Sequence, residues 1–429
     1  MTADYKIIAD YVQTLFSRFG IKLVNFIFFM VVAKHLSLVD MAAYGFFFSL
    51  SLIASVVLDG GSRNVIAKLI GSHANNFSGG LRYLNFFFIA IILILVTVYL
   101  FDFNILYYPA LDDVREEFFL LVGSMTFIRM FQGVLLGKGL ITKFNQSEMM
   151  SRLALLVMLV LMMANSEVTL TNACFSLAVA QLISAIFLFF VVNKLRGSDD
   201  VRMSKDDTLK LLRNGFLFML TVFLMNISKQ LHFYVLSGSD EALGGAFFSI
   251  YRICEIVTEI AIAISIVLFS RATNDTSSAH TIARISKATR LTVTMLTPAL
   301  VFVLLFGELT VVFVLGAEYA NYSEEFSMIF LASYIGVVWG MCFPSLSIIF
   351  PIWYLLVIFF VVNVLSLAAY YIVGIGVVQS AYVYMFTSLV TNIILLMVVK
   401  FTYGYRIRDF FIVRRDDFMP LISKFRRGV

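Results

Sequence analysis

The chain has 429 residues, 61% of them hydrophobic and 14% charged, with a formal net charge of +5 and a mean hydropathy of +0.93. Soluble domains are about 45–50% apolar and 25% charged, so a water-soluble globular fold is excluded. Function is then to be sought in the few polar groups kept inside a membrane.

A spanning helix needs roughly 20 mostly apolar residues. Twelve stretches qualify in chain order: 15–34, 41–58, 83–101, 118–137, 149–165, 169–193, 209–228, 243–269, 291–315, 326–349, 352–373 and 377–399. Unbroken apolar runs such as Ile89–Leu100 predict helices, because strands of a membrane barrel read as alternating segments of about ten residues. Arg152, inside the fifth stretch, is expected to snorkel to the interface. Asp4, Lys6 and Asp10 run into the first span with no small-residue cleavage site, so no cleavable signal peptide is expected. Cys174, Cys254 and Cys342 all fall within spans and read as apolar packing groups, not as a disulfide set or metal site.

Basic residues set the orientation. One set of connections carries Arg63, Lys68 and Arg82, then Lys138, Lys143 and Arg152, then Lys194 to Arg213, then Arg271, Arg284, Lys287 and Arg290. The opposite set is acidic or bare, with Asp112, Asp113, Glu116 and Glu117 in one loop and Glu308, Glu318, Glu324 and Glu325 in another. By the positive-inside rule both termini are expected in the cytoplasm. The tail (residues 401–429) is basic and aromatic, as suits a segment lying on anionic lipid; a nucleic-acid partner is not needed to explain it.

Lys194–Thr208 is the longest polar connection before the tail and falls near the midpoint, with six spans on each side. The expected organisation is an N-terminal lobe (1–193), a cytoplasmic linker (194–208), a C-terminal lobe (209–400) and the tail. An internal echo supports two parallel repeats. Arg18-Phe19-Gly20 opens the first span and Arg213-Asn214-Gly215 the seventh; Gly45-Phe46-Phe47-Phe48-Ser49 starts the second and Gly245-Ala246-Phe247-Phe248-Ser249 the eighth.

Ionisable groups within spans are costly and usually face a bundle interior or a wet cavity. Here most are cations. Arg18 and Lys22 share one face of the first span. Arg129 lies about 13 Å inside Lys138 at 1.5 Å per residue, and Arg252 sits at similar depth in the eighth span. Glu255, three residues after Arg252, can neutralise it within the helix, leaving Glu259 as a further carboxylate. Asn25, Gln181, Asn226, Asn363 and Asn392 are expected to hydrogen-bond between helices. Lys229 and His232, towards one end of the seventh span, read as surface anchors. No phosphate loop, zinc-type histidine pair or nucleophile–base spacing is present in the sequence, so neither an enzyme nor a cofactor is expected.

Leu36–Arg63 (LSLVDMAAYGFFFSLSLIASVVLDGGSR) resembles the stretch of bacterial polysaccharide flippases in which a short loop leads to Tyr-Gly, an apolar helix and an Asp-Leu-Gly-type end. Tyr44-Gly45 and Asp59-Gly60-Gly61 occupy those places, with Gly60 where Leu is commoner. Gly244–Arg271, with its Tyr251-Arg252 pair, resembles the family's eighth span, and Ser270 stands near where proline is frequent. The resemblance implies the multidrug/oligosaccharidyl-lipid/polysaccharide exporter superfamily: an all-α membrane protein of twelve transmembrane helices in two six-helix lobes around a central cavity, working by alternating access. It further implies a flippase for undecaprenyl-pyrophosphate-linked oligosaccharide in the bacterial inner membrane. Partners would be that substrate, membrane lipids, a glycan polymerase and glycosyltransferases.

Buried cations suit such cargo, since arginine makes bidentate contacts to phosphate oxygens. Arg18, Lys22, Arg129 and Arg252 are the expected substrate-binding residues, with Glu255 and Glu259 for ion coupling. A drug or metabolite exporter of the same superfamily is the alternative, kept open by the two glutamates. A glycan-assembly enzyme, polymerase or acyltransferase, is a third reading, but it would carry a large periplasmic loop or a histidine-based site.

Overall fold

The computed structural model describes residues 20–72, 77–100, 109–165, 167–195, 205–272 and 278–412. The first helix, α1, covers residues 20–35. Ser37 then caps α2 (Leu38–Asp59): its hydroxyl oxygen accepts the Asp40 amide at 3.1 Å. The helix stops at Gly60 and Gly61, whose φ values of 57° and 71° place both in the left-handed region, where a β-carbon is penalised. It resumes as α3 (Ser62–Ser72). The expected second span, 41–58, is therefore one limb of a broken helix.

The first half continues with α4 (Phe77–Leu100), α5 (Arg115–Gly137), α6 (Ile141–Ala164) and α7 (Leu170–Lys194). The second half contains α8 (Lys205–Ser237), α9 (Glu241–Ala272), α10 (Ser278–Leu315), α11 (Ser323–Ile349), α12 (Ile352–Val373) and α13 (Val377–Tyr403). Taken as one broken span, α2 and α3 bring the helices of the described residues to twelve spans. Among the described residues, nine helices are long and apolar enough to cross a bilayer by length and composition alone. The 33 residues of α8 extend about 50 Å at 1.5 Å per residue, well beyond a hydrocarbon core of about 30 Å.

Two lobes follow from the packing. In the first, α5 lies against α2, α3 and α7, and α7 against α6. In the second, α11 is central and touches α9, α10 and α13, while α12 packs on α8 and α13. Between lobes, α2 meets α8 and α9, and α3 meets α8. Small residues permit the closest approaches, as in other membrane bundles. A Cβ on Gly133 or Gly137 of α5 would strike the backbone of Arg63 or Ala67 on α3. Large exposed apolar side chains such as Ile89, Leu305 and Phe313 form the face turned to lipid.

The lobes touch at both ends of this interface. Where α2 and α9 begin, a Cβ on Gly245 would strike the Leu38 backbone. Next to that contact an aromatic group closes the gap: Phe46–Phe233 centroids lie 4.9 Å apart, Phe233–Phe248 5.2 Å and Phe29–Phe248 6.0 Å. At the other end Gly60 and Gly61 abut Gly215 of α8.

The start of the tail departs from expectation. After Gly404 ends α13, the Tyr405 hydroxyl donates to the Ala279 carbonyl at 3.1 Å, and Arg290 donates to the Asp409 carbonyl. Phe410 is buried. Up to residue 412 the tail is thus docked on α10, not merely laid on lipid; the remainder, with Phe418, lies outside the described residues. All three cysteines are buried.

Candidate functional site

Between the lobes lies a cavity of about 370 Å³, lined by residues of α1, α2, α3, α5, α6, α7, α8, α9 and α11. It runs from Tyr44 and Leu121, beside the aromatic closure, towards Arg63, Leu136, Phe269 and Ser347 at the opposite end of the bundle. Six cations line it, namely Lys22, Arg63, Arg129, Arg152, Lys229 and Arg252, against two carboxylates, Glu148 and Glu255. The lining therefore carries an excess of four positive charges.

The carboxylates are engaged. Glu255 Oε1 takes Lys229 Nζ at 3.5 Å and the Tyr251 hydroxyl at 3.3 Å, while Arg252 pairs with Oε2. Arg252 also lies over the ring of Phe48, 4.3 Å from its centroid, so it bridges from α9 to α2 of the other lobe. Lys229 lies 5.2 Å from the Trp339 ring centroid. Gln132 Nε2 donates to Glu148 Oε1 at 3.3 Å. Arg129 Nε donates to Asp59 Oδ2 at 2.7 Å, with Asp59 2% exposed and Arg129 17%. A narrow side pocket of about 50 Å³ brings Lys22, Asn25, Arg252 and Glu255 together.

Of the residues expected from sequence, Lys22, Arg129, Arg252 and Glu255 share this cavity. Arg18 lies outside the described residues, and so does the side chain of Glu259. Three expectations need correction. Lys229 is not a surface anchor but lines the cavity, because α8 runs on to Ser237 instead of ending at 228. His232 is fully buried, its Nδ1 2.9 Å from the Tyr370 hydroxyl. Arg152, read as snorkelling, faces the same cavity.

Asn363 and Asn392 do bond between helices, donating to the carbonyls of Leu224 at 3.0 Å and Ile335 at 2.6 Å. Asn25, Gln181 and Asn226 line the cavity instead. Sequence reasoning missed Arg63, Asp59 and Glu148 as members of this site. The signal for Asp59 was present, since it is the acidic residue directly before the Gly60-Gly61 pair.

No family model matches the sequence, and no curated protein matches it. Solved structures do match in fold. An outward-facing multidrug resistance MATE family transporter of the MOP superfamily aligns with a TM-score of 0.64 at 13% identity, over 92% of this chain and 95% of that one. A MATE in complex with MaL6 gives 0.65 at 15%, over the same shares. A MOP superfamily transporter from Pyrococcus furiosus Vc1, described as having a binding pocket of reverse polarity that suggests a different function, gives 0.65 at 14%, again over 92% and 95%. A helical chain built as two lobes around a charged cavity thus has the fold of the MATE family transporters of the MOP superfamily.

Proposed function

We propose that this protein is an alternating-access transporter whose cargo is anionic, and that it flips an undecaprenyl-pyrophosphate-linked oligosaccharide across the bacterial inner membrane. The observation that carries the reading is the charge of the cavity: six cations face it, and Glu255 is already held by two of them. A pyrophosphate leaving water needs desolvated positive partners, and arginine offers two parallel donors to its oxygens. Lys22 and Arg252 meet at the side pocket, with Arg129 across the cavity. The lipid tail would stay in the bilayer while the head group enters between the lobes.

By the positive-inside rule the end marked by Arg63 and Ser347 faces the cytoplasm, and the aromatic group lies towards the periplasmic end. Cargo shifts the two lobe arrangements only through its different affinity for each.

The likeness to a MATE in complex with MaL6 supports a second reading, a drug or metabolite exporter. A cationic drug needs an available carboxylate, and Glu255 would have to shed two cations to serve one. The description of the Pyrococcus transporter adds that pocket polarity varies within this fold.

The test is complementation. Alanine at Lys22, Arg129 and Arg252, singly and together, is expected to abolish surface glycan in a strain lacking its own flippase, with insertion unchanged. Full glycan export by the triple variant, or efflux of a cationic dye by the wild type, would remove the anionic reading.

A further inference from the structure

Phe48 and Asp59 stand eleven residues apart on α2. That is about three turns, so they share one face of the helix, about 16 Å apart along its axis. Each anchors an arginine of the cavity. Arg252 of α9 lies 4.3 Å over the Phe48 ring, and Arg129 Nε of α5 donates to Asp59 Oδ2 at 2.7 Å. Both α2 side chains lean towards the helix N-terminus, so the two guanidinium groups keep the spacing of their anchors. α5 gives the same offset: Phe118 meets Phe47 with centroids 6.3 Å apart, and Arg129 follows eleven residues later.

Other charges gather at these two levels. Gln230, which accepts from Ser49 at 3.1 Å, puts its neighbour Lys229 at the Phe48 level, and the side pocket brings Lys22 to Arg252. Three cations there share one carboxylate, Glu255. At the Asp59 level, Gly133 of α5 packs on the Arg63 backbone one turn past Arg129, and Gln132 donates to Glu148. Two cations there stand against two carboxylates, Asp59 and Glu148. Arg152 also faces the cavity from α6, away from both anchors on α2. Between the levels the wall is apolar, with Leu52, Met125, Val222 and Met225.

A pyrophosphate is two phosphorus atoms bridged by one oxygen, too short to reach both levels at once. We infer that the cavity has two separate anion subsites and that the glycan of the cargo is acidic. The doubly charged pyrophosphate sits at Lys22, Lys229 and Arg252, where cations are in excess. A sugar carboxylate, a few sugars along the chain, sits at Arg129 and Arg63, where charges balance and geometry selects. Asp59 holds Arg129 through Nε, and its two terminal nitrogens form the fork that matches a planar carboxylate. The inference deepens the anionic reading given above and rests on it.

The experiment compares two probes on full-length protein in lipid nanodiscs. One is geranylgeranyl pyrophosphate bearing a glucose trisaccharide; the other carries glucuronate as the third sugar. By calorimetry the wild type is expected to bind the glucuronate probe about tenfold tighter, the worth of one charged hydrogen-bonded contact. Arg129→Gln, combined with Asp59→Asn so that no lone carboxylate stays buried, is expected to bind both probes with the affinity of the neutral one. Arg63→Gln, which leaves Asp59 paired, is expected to narrow the preference too and serves if the double variant does not insert. Arg252→Gln is expected to weaken both probes alike and keep the preference. Equal wild-type affinities, or a preference that survives at Arg129 and Arg63 and is lost at Arg252, overturn the second subsite and leave the anionic reading standing. Failure of the wild type to bind either probe removes both.

Discussion

Gly61 and Gly215 meet backbone to backbone across the boundary between the lobes: a Cβ on Gly61 would collide with the Gly215 carbonyl, and one on Gly215 would lie 2.7 Å from the Gly60 carbonyl. Gly61 also has a φ of 71°. Gly61→Ala therefore meets two penalties, the left-handed backbone and overpacking, together about 2–4 kcal/mol. Its melting temperature in detergent should fall well below wild type. Gly123→Ala, whose Cβ would meet Leu95 at an ordinary 3.7 Å, should melt like wild type. Equal melting of the two variants would refute the close contact.

Glu255 is the shared counter-charge of Lys229 and Arg252. Glu255→Ala leaves two cations facing each other, whereas Lys229→Ala leaves Glu255 with Arg252. The first should cost on the order of 3 kcal/mol and the second clearly less. Chemical denaturation of both variants checks the order, and a reversed order would mean that the carboxylate is not the centre of the cluster.

The pair His232–Tyr370 is a neutral hydrogen bond of 2.9 Å in the core of the second lobe. Tyr370→Phe strips His232 Nδ1 of its partner and should cost about 1–3 kcal/mol, while the double change with His232→Phe should recover part of that loss. Additive losses in the double-mutant cycle would show that the bond contributes nothing.

Topology has a direct chemical test, because the three native cysteines are buried. A cysteine at Lys138, exposed after α5, should react with a membrane-impermeant maleimide from the cytoplasm only. One at Asp240, exposed between α8 and α9, should react from the periplasm only. Labelling with the sides exchanged would invert the orientation.

The helices were legible because a bilayer demands long apolar runs, and those runs survive in any one sequence. Their ends were not. α10 begins at Ser278 instead of 291 because its first turns carry Arg284, Lys287 and Arg290 beyond the apolar stretch. The break at Gly60-Gly61 read as an end, since two glycines terminate an isolated helix as readily as they hinge a packed one. For the site, depth along a helix placed Lys22, Arg129 and Arg252, as ionisable residues inside apolar runs stand out. Lys229 lies past the apolar run although α8 continues to Ser237, and the polar residues of α3 hide Arg63 in what reads as a connection. The pairing of Asp59 with Arg129, 70 residues apart, belongs to the tertiary packing of α2 on α5, which no local pattern encodes.

The rings of Phe46, Phe233 and Phe248 give the charged vestibule a floor. A solute that reaches this end of the cavity meets a greasy stopper of packed rings. On the transport reading proposed above, such a body would work as a bucket and not as a pipe. Each passage would consume one swing of the lobes, and throughput would be capped by collective motions on the microsecond-to-millisecond scale, however fast the cargo diffuses.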